Sequence, residues 1–72
     1  MQFSKCIKEI RNQANMSQEE FARNIGVSFA TVNRWENDKT EPSFQTIKKI
    51  DSFCVNNSIN FDIHKAWEEK HD

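Results

Sequence analysis

Apolar residues recur at steps of three and four positions along most of the chain, the spacing that places side chains on one face of an α-helix. The stripe formed by Phe3, Ile7, Ile10 and Ala14 predicts a first helix that starts near the N-terminus. Alternating β-branched positions are absent, so no β-strand is expected. The pattern predicts an all-α fold, a compact bundle of four to five short helices over about residues 4–14, 18–25, 29–37, 44–55 and 61–70.

Small polar residues mark the helix boundaries. Ser17 and Glu20 have the spacing of a capping box, in which the serine oxygen accepts a backbone N–H and the glutamate reaches back to the serine N–H. Gly26, the only glycine, can end the second helix in a left-handed conformation without steric cost. The N-caps of the later helices are assigned to Ser28, Ser43 and Asn60.

The apolar side of each helix supplies the expected core. Cys6 and Cys54 fall on these sides, which favours buried, reduced thiols over the alternatives of a disulfide or of redox or metal chemistry. After the first helix, the residues assigned to the core are Phe21, Ala22, Ile25, Val32, Trp35, Phe44, Ile47, Ile50, Cys54, Ile63 and Trp67.

Length and composition limit the class of protein. A chain of 72 residues suffices for one domain but not for a core and a deep cofactor cavity together, so no cofactor is expected. No apolar run approaches the roughly 20 residues that span a bilayer. The N-terminus also lacks the apolar segment of a signal peptide. We therefore expect a cytoplasmic protein without membrane contact.

The charge distribution bears on the kind of partner. A net charge of −1 argues mildly against nucleic acid, because phosphate contacts need cations. Residues 1–50, however, carry eight basic and six acidic side chains, whereas residues 51–72 carry two and five. The acidic end is consistent with a surface turned away from a polyanion, and equally with a solvated helix face.

The second and third helices, with the short glycine-containing turn between them, have the arrangement of a helix-turn-helix. We assign residues 1–72 to a single domain with its helix-turn-helix core at residues 17–37. Val32 and Trp35 of the third helix face inward, which leaves an open side of small or polar residues. That side and the helix start hold Ser28, Phe29, Ala30, Thr31, Asn33 and Arg34, most of which can contact base edges or phosphates.

Over about residues 5–65 the chain resembles the Cro/repressor-type helix-turn-helix regulators, often called the Xre family. The matching segments are Ile7-Lys8-Glu9-Ile10-Arg11, Met16-Ser17-Gln18-Glu19-Glu20-Phe21-Ala22, Ile25-Gly26-Val27-Ser28, Thr31-Val32-Asn33-Arg34-Trp35-Glu36-Asn37 and residues 39–43. The resemblance implies a lambda-repressor-like bundle that binds operator DNA as a dimer.

The resemblance also implies roles for residues that support the motif. Gln18 matches a glutamine that bonds a phosphate and often a side chain of the recognition helix, and Ser17 matches a cap near the DNA backbone. Arg11 and Glu36 match a buried salt bridge between the first helix and the end of the third. Trp35 is expected to be a structural core residue rather than a ligand.

The third helix matches the recognition helix that enters the major groove. Its base-facing positions are held by Phe29, Ala30, Thr31 and Arg34. The loop after it matches one whose amides and side chains hold the second phosphate strand, at Asn37, Lys39 and Thr40.

Two residues depart from the family pattern. Asp38 replaces the glycine usual in that loop; aspartate tolerates a left-handed conformation but adds negative charge near phosphate. Phe29 stands where relatives usually carry a polar residue. Its ring can touch a thymine methyl group or fold back onto Val27 or Ala30.

These observations favour sequence-specific binding of double-stranded DNA by a prokaryotic or phage transcriptional regulator. The alternatives are an antitoxin-like module whose main partner is a toxin, and a DNA-targeting domain that works with a DNA-modification enzyme. No catalytic constellation and no metal-ligand spacing is recognised, so neither enzyme activity nor a metal site is expected. A weak homodimer is expected through the last helix, which carries Phe61, Ile63 and Trp67.

Overall fold

Five helices account for most of residues 3–71, the part of the chain that the computed structural model describes, with side chains described through residue 69. The helices are α1 (Phe3–Gln13), α2 (Gln18–Ile25), α3 (Phe29–Glu36), α4 (Phe44–Asn56) and α5 (Ile63–His71). No strand occurs within that range. The all-α prediction is therefore confirmed.

Local capping explains where the second, third and fourth helices begin. The Ser17 side chain accepts from the backbone N–H of Glu20, and the Glu20 carboxylate accepts from the Ser17 N–H, which completes the predicted capping box. Ser28 and Ser43 are the N-caps of α3 and α4, as predicted, and their side chains accept from the backbone N–H groups of Thr31 and Thr46. Gly26 ends α2 with φ of 83°, a left-handed conformation that favours glycine.

The start of α5 was predicted wrongly. The helix begins at Ile63 rather than near Phe61, and its cap is Asp62 rather than Asn60. The Asp62 carboxylate accepts from the backbone N–H of Lys65 at 3.0 Å, the contact of an N-cap oxygen with the third helical residue. Two polar residues that can both cap a helix lie close together here, and tertiary packing of Ile59 and Ile63 decides between them.

One apolar cluster joins all five helices. Phe21 packs edge-to-face on Phe53, with ring centroids 5.2 Å apart. Cys6 and Cys54 are buried thiols, and burial raises the pKa of Cys54 to about 11. The fully buried members of the cluster are Cys6, Ile7, Ile10, Phe21, Val32, Ile47, Ile50, Cys54 and Ile63.

Phe44 does not belong to this core, contrary to the prediction. It is the first residue of α4, and 44% of its surface is exposed. Helical side chains lean toward the N-terminus, so the ring of a first residue projects past the end of the helix and away from the core layer. Trp67, also assigned to the core, is half-buried at the edge of the cluster, where its ring centroid lies 5.1 Å from that of Phe44.

The first and last helices pack against each other, so the two ends of the chain meet in the fold. α3 packs against α1 and α2, while α5 packs against α4 and α1. The molecule measures 30 × 26 × 19 Å. Within the described part of the chain, no helix is long and apolar enough to cross a membrane.

Candidate functional site

A tight turn sets the angle between α2 and α3. The backbone N–H groups of Gly26 and Val27 both donate to the carbonyl of Ala22, at 2.8 and 3.0 Å. These bonds close the end of α2 and direct the chain at once into the Ser28 cap of α3. The two helices therefore meet through a three-residue connection, as the helix-turn-helix prediction requires.

The outward face of α3 is accessible and combines small, polar and aromatic residues. Ser28, Phe29, Ala30 and Arg34 are exposed, whereas Val32 and Trp35 on the opposite face are buried. The sequence therefore predicted the direction of this helix correctly. Arg34 is the one cation on α3 and lies in its last turn.

Phe29 keeps 49% of its surface accessible at the start of α3. The ring is not part of the core, and its exposed edge offers apolar surface beside Ala30. Thr31 is half-buried, and its hydroxyl lies 2.9 Å from the Ser28 hydroxyl that caps the helix. The Ser28 and Thr31 hydroxyls therefore bond to each other at the cap, while the side chains of Phe29 and Ala30 remain accessible to solvent.

A buried ion pair fixes the end of α3 to α1. Arg11 Nε donates to Glu36 Oε2 at 2.8 Å and Arg11 Nη2 donates to Glu36 Oε1 at 3.0 Å, a two-pronged contact. Only 2% of the Glu36 side chain and 19% of the Arg11 side chain are exposed. The hydrogen bonds to Glu36 raise the pKa of Arg11. This pair, which the family resemblance implied, is confirmed.

The third arm of the Arg11 guanidinium reaches the loop before α2. Nη1 donates to the carbonyl of Met16 at 3.0 Å. Arg11 thus joins α1, the end of α3 and the chain just before the α2 cap. This contact is not predictable from the sequence, since a backbone acceptor leaves no signal in side-chain identity.

Amide side chains continue the network from Glu36 to the surface of α3. Gln18 Nε2 donates to Glu36 Oε1 at 3.0 Å, and Asn33 Nδ2 donates to Gln18 Oε1 at 3.2 Å. Asn37 Nδ2 then donates to Asn33 Oδ1 at 3.2 Å and to the Asn33 carbonyl at 2.8 Å. The implied bond between Gln18 and a side chain of α3 is present, and its partner is Asn33.

Asn33 was predicted to lie on the open side of α3, but it is half-buried and bonded on both sides. Asn37 was assigned to the loop and is also the C-cap of α3. The four-residue spacing of these two asparagines on a helix is the signal that could have indicated the contact, because such positions lie on the same face.

The loop after α3 turns through a left-handed residue. Asp38 has φ of 59°, so the prediction that aspartate tolerates the conformation usual for glycine is confirmed. The Lys39 N–H donates to the Arg34 carbonyl at 2.9 Å, which closes the end of α3. Lys39 and Thr40 have exposed side chains on this loop.

Ser17 and Gln18 at the start of α2 lie next to the end of α3, because the Gln18 amide bonds to Glu36 and Asn33. Ser17 is exposed at the start of α2, although its oxygen is engaged by the capping box, and Gln18 is half-buried beside it. The structure therefore groups the predicted residues into an accessible α3 face, an adjacent amide network and the loop after α3 with Lys39 and Thr40.

Comparison with known proteins gives a consistent result. A protein-family model described as helix-turn-helix matches residues 7–54. The chain is 30% identical over 69 residues to the "HTH-type transcriptional activator BcrR" of Enterococcus faecalis, a match that covers 96% of this chain and 32% of that protein. It is 33% identical over 67 residues to an "Uncharacterized HTH-type transcriptional regulator" of Archaeoglobus fulgidus, covering 89% of this chain and 94% of that one.

The chain thus spans about a third of the activator and nearly all of the archaeal regulator. No solved structure matches significantly.

Proposed function

Because this chain belongs to the helix-turn-helix family, we propose that it is a transcriptional regulator that places α3 in the major groove of double-stranded DNA. The observation that carries the proposal is the accessible face of α3, set against a buried opposite face. The major groove, about 12 Å wide, admits one α-helix. The regulator names of both relatives support this function over a toxin-binding module or a DNA-modification partner. Its DNA target implies a cytoplasmic location.

The α3 face offers two kinds of base contact. Phe29 and Ala30 present apolar surface suited to a thymine methyl group. Arg34 carries the planar guanidinium that pairs with the two acceptors of guanine. Ser28 and Thr31 sit at the start of the helix, where hydroxyls can reach bases or the sugar-phosphate backbone.

Phosphate contacts are assigned to residues beside the exposed α3 face. Gln18 and Ser17 lie at the start of α2, and Asn37, Lys39 and Thr40 lie at the C-cap of α3 and on the loop after it. Contacts from these two segments would fix the position of α3 in the groove, since phosphate contacts set register and base contacts specify sequence.

Titration of the protein with labelled duplex DNA over a range of salt concentrations tests the proposal. We expect binding that weakens linearly on a log–log plot of affinity against salt concentration. A protein that bound no duplex at low salt would not be a DNA-binding regulator.

Arg34→Ala is expected to weaken binding by about 1–3 kcal/mol and to relax the preference at one base position, as for a lost bidentate base contact. Affinity should be measured on a panel of duplexes that differ at single positions. Lys65→Ala is the matched control, because it removes an exposed cation from α5, which packs against α1 and α4. An equal loss on every duplex for Arg34→Ala would make this residue a phosphate contact only.

A second copy of the chain is proposed to bind beside the first on DNA. The two recognition helices of such dimers lie about 34–36 Å apart, and the molecule is 26–30 Å across its two longer axes. Two copies bound at that spacing would therefore lie side by side on the DNA. One domain with few cations offers few phosphate contacts, and a second copy doubles them.

The surface proposed for this contact keeps Trp67 from the expected residues and adds Phe44 and His64. Ile63 is fully buried and cannot contribute, because it completes the core beneath α5. Phe44, His64 and Trp67 instead form an aromatic patch across α4 and α5, with the Phe44 ring 5.1 Å from Trp67 and 6.0 Å from His64. Three side chains fall far short of the roughly 800 Å² per partner of a stable interface, so the dimer should be weak without DNA.

We expect sedimentation to show a monomer that becomes a two-to-one complex on a two-fold symmetric duplex. Phe44→Ala should reduce the cooperativity of binding, whereas Val55→Ala should not, since Val55 is an exposed residue about 16 Å further along α4. A strict one-to-one complex at all protein concentrations would contradict the dimer.

A further inference from the structure

Phe29 is a large apolar side chain that the fold leaves in solvent. It is the first residue of α3, 49% of its surface is exposed, and it belongs neither to the core cluster nor to the half-buried residues packed against that cluster. Among the described residues, no aromatic ring or cation stacks on Phe29, whereas the exposed Phe44 has aromatic and cationic neighbours. Contacts within the described part of the chain therefore do not account for this ring.

The residues around Phe29 make the start of α3 an apolar surface with two adaptable hydroxyls. Ala30 is exposed beside the ring. The Ser28 and Thr31 hydroxyls lie 2.9 Å apart, and either can be the donor in their hydrogen bond. Because a hydroxyl both donates and accepts, this pair can bond to a base edge that carries an amino group as well as to one that carries a carbonyl.

The exposed face of α3 carries no carboxylate. Glu36 is the only acidic residue of α3, and it is buried and paired with Arg11. Glutamate and aspartate are the side chains that accept from the N4 amino group of cytosine. Without one of them on the exposed face, an unmethylated cytosine offers Phe29 and Ala30 no apolar group to bind.

A methyl group at C5 of a pyrimidine is the ligand that suits this surface. Thymine projects that group into the major groove, where apolar side chains contact it. The base 5-methylcytosine carries the same group at the same ring position, and it has an amino group where thymine has a carbonyl. The Phe29 ring bonds to neither of these polar groups, so its contact depends on the methyl group alone.

We infer that Phe29, with Ala30 beside it, forms a site for the 5-methyl group of a pyrimidine, so that the protein binds 5-methylcytosine as well as thymine at one position of its DNA site. Uracil and unmethylated cytosine at that position lack the group and bind more weakly. The inference rests on the proposed DNA-binding function and extends its ligands to DNA methylated on cytosine.

The test compares duplexes that differ by one methyl group, with the wild-type protein and a duplex selected from a random pool. Each thymine is replaced in turn by uracil. The same position is then made cytosine or 5-methylcytosine, with guanine opposite. At the position that Phe29 contacts, removal of the methyl group from thymine or from 5-methylcytosine should weaken binding by the same factor, about fourfold, the effect of burying one methyl-sized group.

Phe29→Ala should bring both affinity ratios close to one, because the contact with the methyl group is lost. Its circular dichroism melt should match that of the wild type closely, since the ring is exposed and alanine is favourable in a helix. Val55→Ala is the matched control, because it also removes an exposed apolar side chain, from α4, and it should keep both ratios at their wild-type values.

Three results would overturn the inference. In the first, no uracil substitution weakens binding. In the second, 5-methylcytosine binds no better than cytosine at a position where uracil binds worse than thymine. In the third, Phe29→Ala keeps the wild-type ratios. In each case a wild-type protein that still binds its selected duplex leaves the proposed function standing, whereas a protein that binds no duplex contradicts both.

Discussion

Trp35→Ala is expected to unfold the protein or nearly so. The indole is 4% exposed on the inner face of α3 and belongs to the apolar cluster that all five helices share. Loss of a buried large aromatic side chain costs about 3–5 kcal/mol. A domain of this size has a total stability near the lower end of ~5–15 kcal/mol, so the substitution removes most of it.

Thermal melts followed by circular dichroism measure this effect. Trp67→Ala is the matched control, because Trp67 is the same residue type but is half-buried at the edge of the core. Trp67→Ala should lower the melting temperature clearly less than Trp35→Ala does. A Trp35→Ala protein that melts within a few degrees of the wild type would contradict the buried position of this residue.

Breaking the Arg11–Glu36 pair should cause the second large loss of stability. Arg11→Met should cost about 3–5 kcal/mol, because it leaves the charge of Glu36 desolvated and without its cation. Glu36→Met should cost a similar amount, since Arg11 and Gln18 then lose their acceptor. Replacing both partners removes the unpaired charge, so the double variant should be much more stable than the sum of the two losses implies.

Urea unfolding of the four proteins of this double-mutant cycle gives the coupling energy. Glu19→Met, which removes an exposed carboxylate in the first turn of α2, should change stability by no more than about 0.5 kcal/mol. Strictly additive losses at Arg11 and Glu36 would show that the two side chains do not act as a pair.

Local sequence signals predicted most of the helix boundaries. The residues that begin and end these helices bond to their own neighbours in the chain, so short sequence segments suffice to predict them. They are Ser17, Ser28, Ser43 and Gly26. The start of α5 was predicted wrongly because it does not depend on local bonds alone. Asn60 and Asp62 can both cap a helix, and contacts with the rest of the core choose between them.

Long-range contacts were predicted only where the family resemblance supplied them. The Arg11–Glu36 pair joins residues 25 positions apart, and periodicity alone does not reveal such a contact. Periodicity placed Phe44 in the core because the position lies in register with Ile47. It could not show that a first-turn side chain projects beyond the core layer.

Some features of the candidate site could likewise be predicted from the sequence, and others could not. The outward face of α3 could be predicted from its buried positions, because an eight-residue helix that buries one face exposes the opposite face to solvent. The engagement of Asn33 could not be predicted, since it depends on Gln18 from another helix. An outward position on a helix therefore does not by itself identify a base-reading residue.

The central claim is that the α3 face reads the sequence of double-stranded DNA, and selection of bound duplexes from a random pool tests it most directly. The pool should be carried through several rounds with the wild-type protein, and in parallel with Arg34→Ala. We expect the wild type to enrich one recurring sequence with two-fold symmetry, and Arg34→Ala to enrich a sequence that is less defined at one position in each half. A wild-type protein that enriches no sequence, or an Arg34→Ala protein that selects the same sequence as strictly, would contradict the account.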